Sequence, residues 1–120
     1  MIDYRNLTPY EVISDMEEKR RELSELNSEL SKEGFKMDEC ERVYLIKKAK
    51  LEVILRENKT PIGLIKDLVA GDSEVVNAMY EYKNHFHNYE VLKSKIRFVS
   101  QEIEVDRSYL TFLRAEMNSN

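Results

Sequence analysis

Apolar residues recur with helical spacing along most of the chain, most regularly between Ser73 and Met117. This stretch contains no Gly and no Pro, and one column of apolar residues repeats along it every seven positions. The pattern predicts one very long helix over 73–117, about 65 Å in length at 1.5 Å per residue. The column consists of Val75, Tyr82, Tyr89, Ile96, Ile103, Leu110 and Met117.

A second apolar column occupies the opposite side of the same predicted helix. It lies roughly 160° around the helix from the first column, at 100° per residue. Because one apolar face requires one partner and two faces require two, the helix should either lie inside a bundle or bind a second chain. We predict self-association as a dimer through this second column. Its members are Val91, Phe98, Val105 and Phe112.

Two further helices are predicted before residue 60. Thr8 followed by Pro9 and Glu11 forms a capping box, so the first helix should cover about 9–32. Gly34 should end that helix. Asp38 and Glu41 repeat the capping pattern, and a second helix should cover 39–58.

A short third helix is predicted between the second helix and the long C-terminal one. Thr60 and Pro61 provide an N-cap residue and a proline at the first helical position. Gly71 is a stop signal, so this helix should cover 61–70. Asp72 or Ser73 can then cap the long helix. The fold class is therefore all-α, with 1–120 as a single helical domain.

Two packings are compatible with these four helices: a compact bundle around helix 2, or an elongated antiparallel hairpin in which the long helix returns along helices 1 and 2. An antiparallel register with a seven-residue repeat favours the hairpin. It places Arg20 opposite Asp106, where each interrupts its own apolar stripe, and predicts that the two form a register-fixing ion pair. The apolar pairs are Met16 with Leu110, Leu23 with Ile103, and Leu30 with Ile96.

Composition agrees with long helices and limits the function classes. The chain has 120 residues, of which 42% are hydrophobic and 35% charged, with three Gly and two Pro. Its formal charge of −4 argues against a general nucleic-acid coat. The single cysteine, Cys40, has no partner in the chain for a disulfide. No apolar run reaches the ~18 residues of a membrane span, and no signal peptide is recognisable. We expect a soluble, cytoplasmic protein without membrane association.

The sequence contains few residues in patterns typical of catalysis or metal binding. His85 and His87 are two residues apart, so on a helix they point about 200° from each other and cannot bind one ion together. Acidic neighbours should oppose thiolate formation at Cys40. Glu102, Glu104 and Asp106 do not share one helix face. We therefore predict no enzymatic activity, no metal site and no cofactor.

Basic residues in the second helix are a candidate contact for nucleic acid. Lys47, Lys48 and Lys50 could present charge to phosphates. They spread around the helix, however, and a helix with two apolar faces needs charge on its remaining rows to stay solvated. Only weak contact with single-stranded nucleic acid is expected.

The stretch 48–72, KAKLEVILRENKTPIGLIKDLVAGD, resembles small early-region proteins of phages and prophages of Gram-positive bacteria. The later RSYLTFLRAE at 107–116 is similar to endings in the same group, and the resemblance covers about 43–117. It is carried by helix caps and apolar spacing. It implies a phage accessory protein in the bacterial host cell and no particular residue role.

We therefore predict a non-enzymatic phage accessory protein that binds another protein through its long two-faced helix. The partner could be a second copy, a host protein or a phage protein. One alternative is an accessory to phage DNA recombination or replication that contacts single-stranded nucleic acid weakly. Another is an inhibitor of a host defence or replication protein, with the acidic first helix as a decoy surface.

Overall fold

Three helices make up the protein in a computed structural model that describes residues 7–119. They are α1 (Pro9–Glu57), α2 (Ile62–Gly71) and α3 (Ser73–Asn118). The all-α fold class and the very long C-terminal helix are confirmed. At 1.5 Å per residue, α1 and α3 are each about 70 Å long.

The predicted caps at the starts of α1 and α3 are confirmed. The Glu11 backbone N–H donates to Oγ1 of Thr8 at 3.2 Å, as a Thr N-cap requires. At α3, Oδ2 of Asp72 accepts from the backbone N–H groups of Glu74 and Val75, each at 3.1 Å. These side chains satisfy N–H groups that have no partner within the helix.

The predicted break at Gly34 is wrong, because α1 continues through it to Glu57. Glycine within a helix costs only about 1 kcal/mol relative to alanine, and Gly34 lies where the ring of Tyr89 approaches closely. A Cβ built on Gly34 would be 3.4 Å from Cε2 of Tyr89. The predicted helices 9–32 and 39–58 are therefore parts of one helix.

The turn after α1 differs from the predicted Thr60 cap. Lys59 adopts a left-handed backbone with φ of 61°. The N–H of Thr60 donates to the carbonyl of Leu55 at 3.0 Å, and that of Lys59 to the carbonyl of Arg56 at 3.0 Å. This pair of bonds is a Schellman motif. The helix α2 then begins at Ile62 after Pro61, without a side-chain cap, so the prediction that Thr60 caps this helix is wrong.

The chain divides into two compact units. The first unit contains the chain up to Glu29 and the chain from Leu92 onward, and the second is Leu30–Val91. The boundary falls within α1 and within α3.

In the first unit, the N-terminal part of α1 packs on the C-terminal part of α3. The partly buried Leu23, Ile96 and Tyr109 pack against its core. Met16, Leu23, Ile103 and Leu110, which form two of the predicted pairs, all belong to this one cluster. The buried core consists of Val12, Met16, Leu26, Val99, Ile103 and Leu110.

In the second unit, α2 packs against the C-terminal part of α1 and the start of α3. Ile65 and Val69 of α2 and Val75 of α3 are buried. Tyr44, Leu51 and Leu55 of α1 pack against them. Within its own unit, each half of α1 thus packs beside part of α3.

The main apolar column of α3 is largely inward-facing. Val75, Ile103 and Leu110 are buried, and Tyr82, Tyr89 and Ile96 are half-buried. Met117, near the end of the helix, is exposed.

Candidate interaction surfaces

A buried charge cluster lies within the core of the first unit. The Nζ of Lys19 is 2.6 Å from Oδ2 of Asp15, and 3.5 Å from both Oε2 of Glu102 and Oδ2 of Asp106. The Asp106 side chain is fully buried, and that of Lys19 is only 11% exposed. The Asp106 contact is a hydrogen bond. The closer approach to Asp15 is an ion pair without hydrogen-bond alignment.

The cluster changes the acidity of its members. Burial alone would raise the pKa of Asp15, but the neighbouring Asp106 and the close positive charge of Lys19 hold it below its ordinary value. Burial alone would lower the pKa of Lys19, but Asp15, Asp106 and Glu102 together raise it above its ordinary value.

Asp106 is therefore a polar partner in the core, as predicted, but the prediction of Arg20 as its partner is wrong. Arg20 is exposed, whereas its neighbour Lys19 is buried and pairs with Asp106. One residue corresponds to 100° of helix rotation, which is enough to turn a side chain from the core to the surface.

The second predicted column on α3 is exposed along its whole length. Phe98 is 62% exposed, Val105 51% and Phe112 55%, all in the first unit. Val91, in the second unit, is 38% exposed. Within their own units, these side chains are not covered.

Phe98, Val105 and Phe112 belong to an uncharged strip on α3. We call this set the outer strip, and every member is exposed. It is about 21 Å long at 1.5 Å per residue, and small or neutral side chains alternate with the large ones. Only Phe112 has a ring contact with a core-packing residue, at 6.2 Å between its centroid and that of Tyr109. The members of the outer strip are Phe98, Gln101, Val105, Ser108 and Phe112.

His85 does not face His87 across a shared site but pairs with an acid on α1. Its Nδ1 lies 2.5 Å from Oε1 of Glu33. Within residues 7–119, no group of three or more His, Cys, Asp or Glu side chains could hold a metal ion. Cys40 is half-buried, and burial together with Glu81, Glu39 and Glu33 raises the pKa of its thiol. This agrees with the predicted opposition to thiolate formation.

The three candidate nucleic-acid lysines face two different grooves of the second unit. Lys48 lines a groove with residues of α2 and α3. Lys47 and Lys50 line a smaller groove that also contains the carboxylates of Asp72 and Glu74. The lysines therefore do not form one basic stripe, and two of them share their groove with acids.

Sequence reasoning missed two features, the Lys19 cluster and the groove beside Lys48. The sequence did contain a sign of the role of Lys19, because either Lys19 or Arg20 can be the residue that interrupts the narrow apolar stripe of α1. The groove joins residues of three helices, including Arg56 and Lys66. Helical spacing within one segment does not bring such residues together, so no local pattern could have revealed it.

Two further findings concern membrane contact and similarity to known proteins. Among residues 7–119, no helix combines the length and the apolar character needed to cross a bilayer. Comparisons with protein-family models, curated proteins and solved structures found no significant match to the chain.

Proposed function

We propose that this chain is a protein-binding accessory protein, and that a second copy of the chain covers the outer strip. The observation that carries the proposal is the exposure of Phe98, Val105 and Phe112 on one uncharged face of α3. Following the resemblance of residues 43–117, the proposal places this activity in the cytoplasm of a phage-infected bacterium.

Covering this surface would release free energy that favours association. Full burial of a phenylalanine or valine side chain stabilises by about 1.5 to 3 kcal/mol. Because Phe98 and Phe112 are only about half exposed, covering each should contribute about 1 to 2 kcal/mol. Covering Val105 and the flanking apolar atoms adds to this. Aromatic residues in a patch without charge are typical of the centre of a protein interface.

A second copy suits the strip because the strip carries no charge. The chain has a net charge of −4, so two copies repel each other at long range. A contact made through neutral residues brings no like charges together at its centre. The small Ser108 between two large residues also allows a facing helix to approach closely.

The proposal is tested by removing the apolar character of the strip. The variant F98E/F112E should be monomeric and still helical, because both side chains point away from the core. Sedimentation equilibrium measures the mass, and circular dichroism measures the helix content. The single variant F98E is a second test that leaves the Tyr109 contact of Phe112 intact.

A matched control carries the same charges in the other unit. Phe35 is 76% exposed and Phe86 46% exposed, so F35E/F86E also replaces two exposed phenylalanines. This control should associate like the unmodified chain. Equal loss of association in both double variants would overturn the proposal, as would an unmodified chain that is monomeric at about 100 μM. The same charges placed at Ile96 and Ile103, which pack in the core, should instead unfold the chain.

A further inference from the structure

The groove beside Lys48 is a cleft of about 460 Å³ in the second unit. It lies between the end of α1, α2 and the start of α3. This volume falls within the range of known ligand sites. The floor is formed by buried apolar residues of the core, and Ile62, which is 88% exposed, stands at the edge. The apolar lining consists of Tyr44, Ile62, Ile65, Val69, Ala70, Val75, Val76 and Met79.

The charged residues around this cleft are mostly cationic. Lys48 and Arg56 of α1 and Lys66 of α2 line it, together with one acid, Glu52. The lining thus carries a formal charge of +2 in a chain whose net charge is −4. Within residues 7–119, none of the three cations forms an ion pair.

The neighbouring groove of the same unit is a useful contrast. It measures about 240 Å³ and is lined by Lys47 and Lys50 but also by Asp72 and Glu74. The charges of its two lysines and two acids therefore cancel, and this groove offers no net attraction to an anion. Of these two sites, the larger one combines an apolar floor with excess positive charge.

We propose that the larger cleft binds an acidic peptide segment of a partner protein, with a bulky apolar side chain of that segment inserted between α2 and α1. The apolar floor accounts for the inserted side chain, and Lys48, Arg56 and Lys66 account for the acidic residues that flank it. Charge complementarity fixes the orientation of such a segment and speeds its encounter. This inference concerns a different surface from the outer strip and does not depend on self-association.

A peptide fits the lining better than nucleic acid does. Single-stranded nucleic acid binds through a basic groove with aromatic platforms for its bases. Tyr44 is the only aromatic residue in this lining, and it packs against the core of the unit. The aliphatic floor instead matches a leucine or phenylalanine side chain.

The experiment is an NMR titration of the isotope-labelled full chain with a short synthetic peptide that has acidic residues on both sides of one phenylalanine. We expect shifts confined to the methyl groups of the cleft, including Ile65, Val69 and Val76, and a Kd below about 1 mM. Two control peptides separate the contribution of the inserted phenylalanine from that of the acidic residues. One replaces the phenylalanine by serine, the other replaces the acids by their amides, and each should bind at least about tenfold more weakly.

A matched pair of protein variants locates the charge effect. The variant K48E/R56E should weaken peptide binding at least about tenfold, whereas K47E/K50E, with the same change in total charge, should weaken it less than threefold. The variant F98E/F112E should bind the peptide like the unmodified chain. This result separates the cleft from the proposed self-association.

Several outcomes would overturn the inference. They are the absence of cleft shifts at millimolar peptide, equal binding of the amide peptide, and equal weakening by K48E/R56E and K47E/K50E. A single-stranded oligonucleotide that shifts the same methyl groups at lower concentration than the peptide would also overturn it. That result would assign the cleft to phosphate binding instead.

Discussion

Replacing Lys19 by methionine tests the buried charge cluster most severely. The substitution keeps the length and apolar stem of the side chain but removes the cation that lies within 3.5 Å of Asp106 and Glu102. Asp106 is fully buried and would then lose its contact with the Lys19 ammonium group. Removing one member of a buried ion pair typically costs about 3 to 5 kcal/mol.

The expected loss lies at the low end of that range. Asp15 and Asp106 both lie beside Lys19, so a carboxyl group of the cluster can respond to the loss of this cation by binding a proton. We therefore expect K19M to lower the free energy of unfolding by about 3 kcal/mol at neutral pH. The midpoint of thermal unfolding, Tm, should fall by roughly 10 °C.

Urea and thermal unfolding followed by circular dichroism measure this effect. The matched control is R20M, the same change one position along α1 at an exposed side chain, which should alter the unfolding free energy by less than about 0.5 kcal/mol. The double variant K19M/D106L should recover part of the loss, because it removes both buried partners together. A cost below about 1 kcal/mol for K19M, or an equal cost for R20M, would refute the assignment of Lys19.

Three further predictions concern stability. In G34A, the new methyl group meets Tyr89 at an ordinary contact distance of 3.4 Å, so urea unfolding should show a gain of about 0.5 to 1 kcal/mol; a loss would mean that the Tyr89 ring cannot accommodate it. K59G relieves a left-handed backbone with φ of 61° and should raise the unfolding free energy by about 1 kcal/mol, whereas K59A should not. The folded state lowers the pKa of Asp15, so its contribution is present above the unfolded pKa and is lost as pH falls through the folded one. Unfolding measured between neutral and strongly acidic pH should show this loss in the unmodified chain and less of it in D15N.

Local sequence signals predicted the helices well where their physical cause was local. Thr8 and Asp72 were identified as caps because their side chains bond to backbone N–H groups two or three residues away, a relation visible in sequence. The seven-residue column of α3 similarly required only periodicity. The predicted helix end at Gly34 was wrong because glycine costs a helix little. The residue that packs beside Gly34, Tyr89, lies 55 positions away in the chain, so no local pattern relates the two.

The candidate interaction surfaces were predictable only in part, because some of them depend on contacts between segments that are distant in the sequence. The exposed column with Phe98 and Phe112 follows from the angle between two sets of residues on one helix. The choice of Lys19 over Arg20 depends on how α1 rotates against α3, and a one-residue difference reverses the answer. The cationic cleft around Lys48 and Lys66 depends on how α2 packs, which no spacing within a single segment encodes.

The central claim is that a second copy of the chain covers the outer strip, and isotope-filtered NMR tests it most directly. Labelled and unlabelled chains are mixed at a concentration where sedimentation shows association. Nuclear Overhauser effects between the two copies are then recorded from the Val105 methyl groups. We expect these contacts to end on protons of the outer strip in the other copy, such as the ring protons of Phe98 or Phe112 or the Val105 methyl groups. Contacts that end only on residues outside the strip, or an associated state with no contact from Val105 at all, would contradict it.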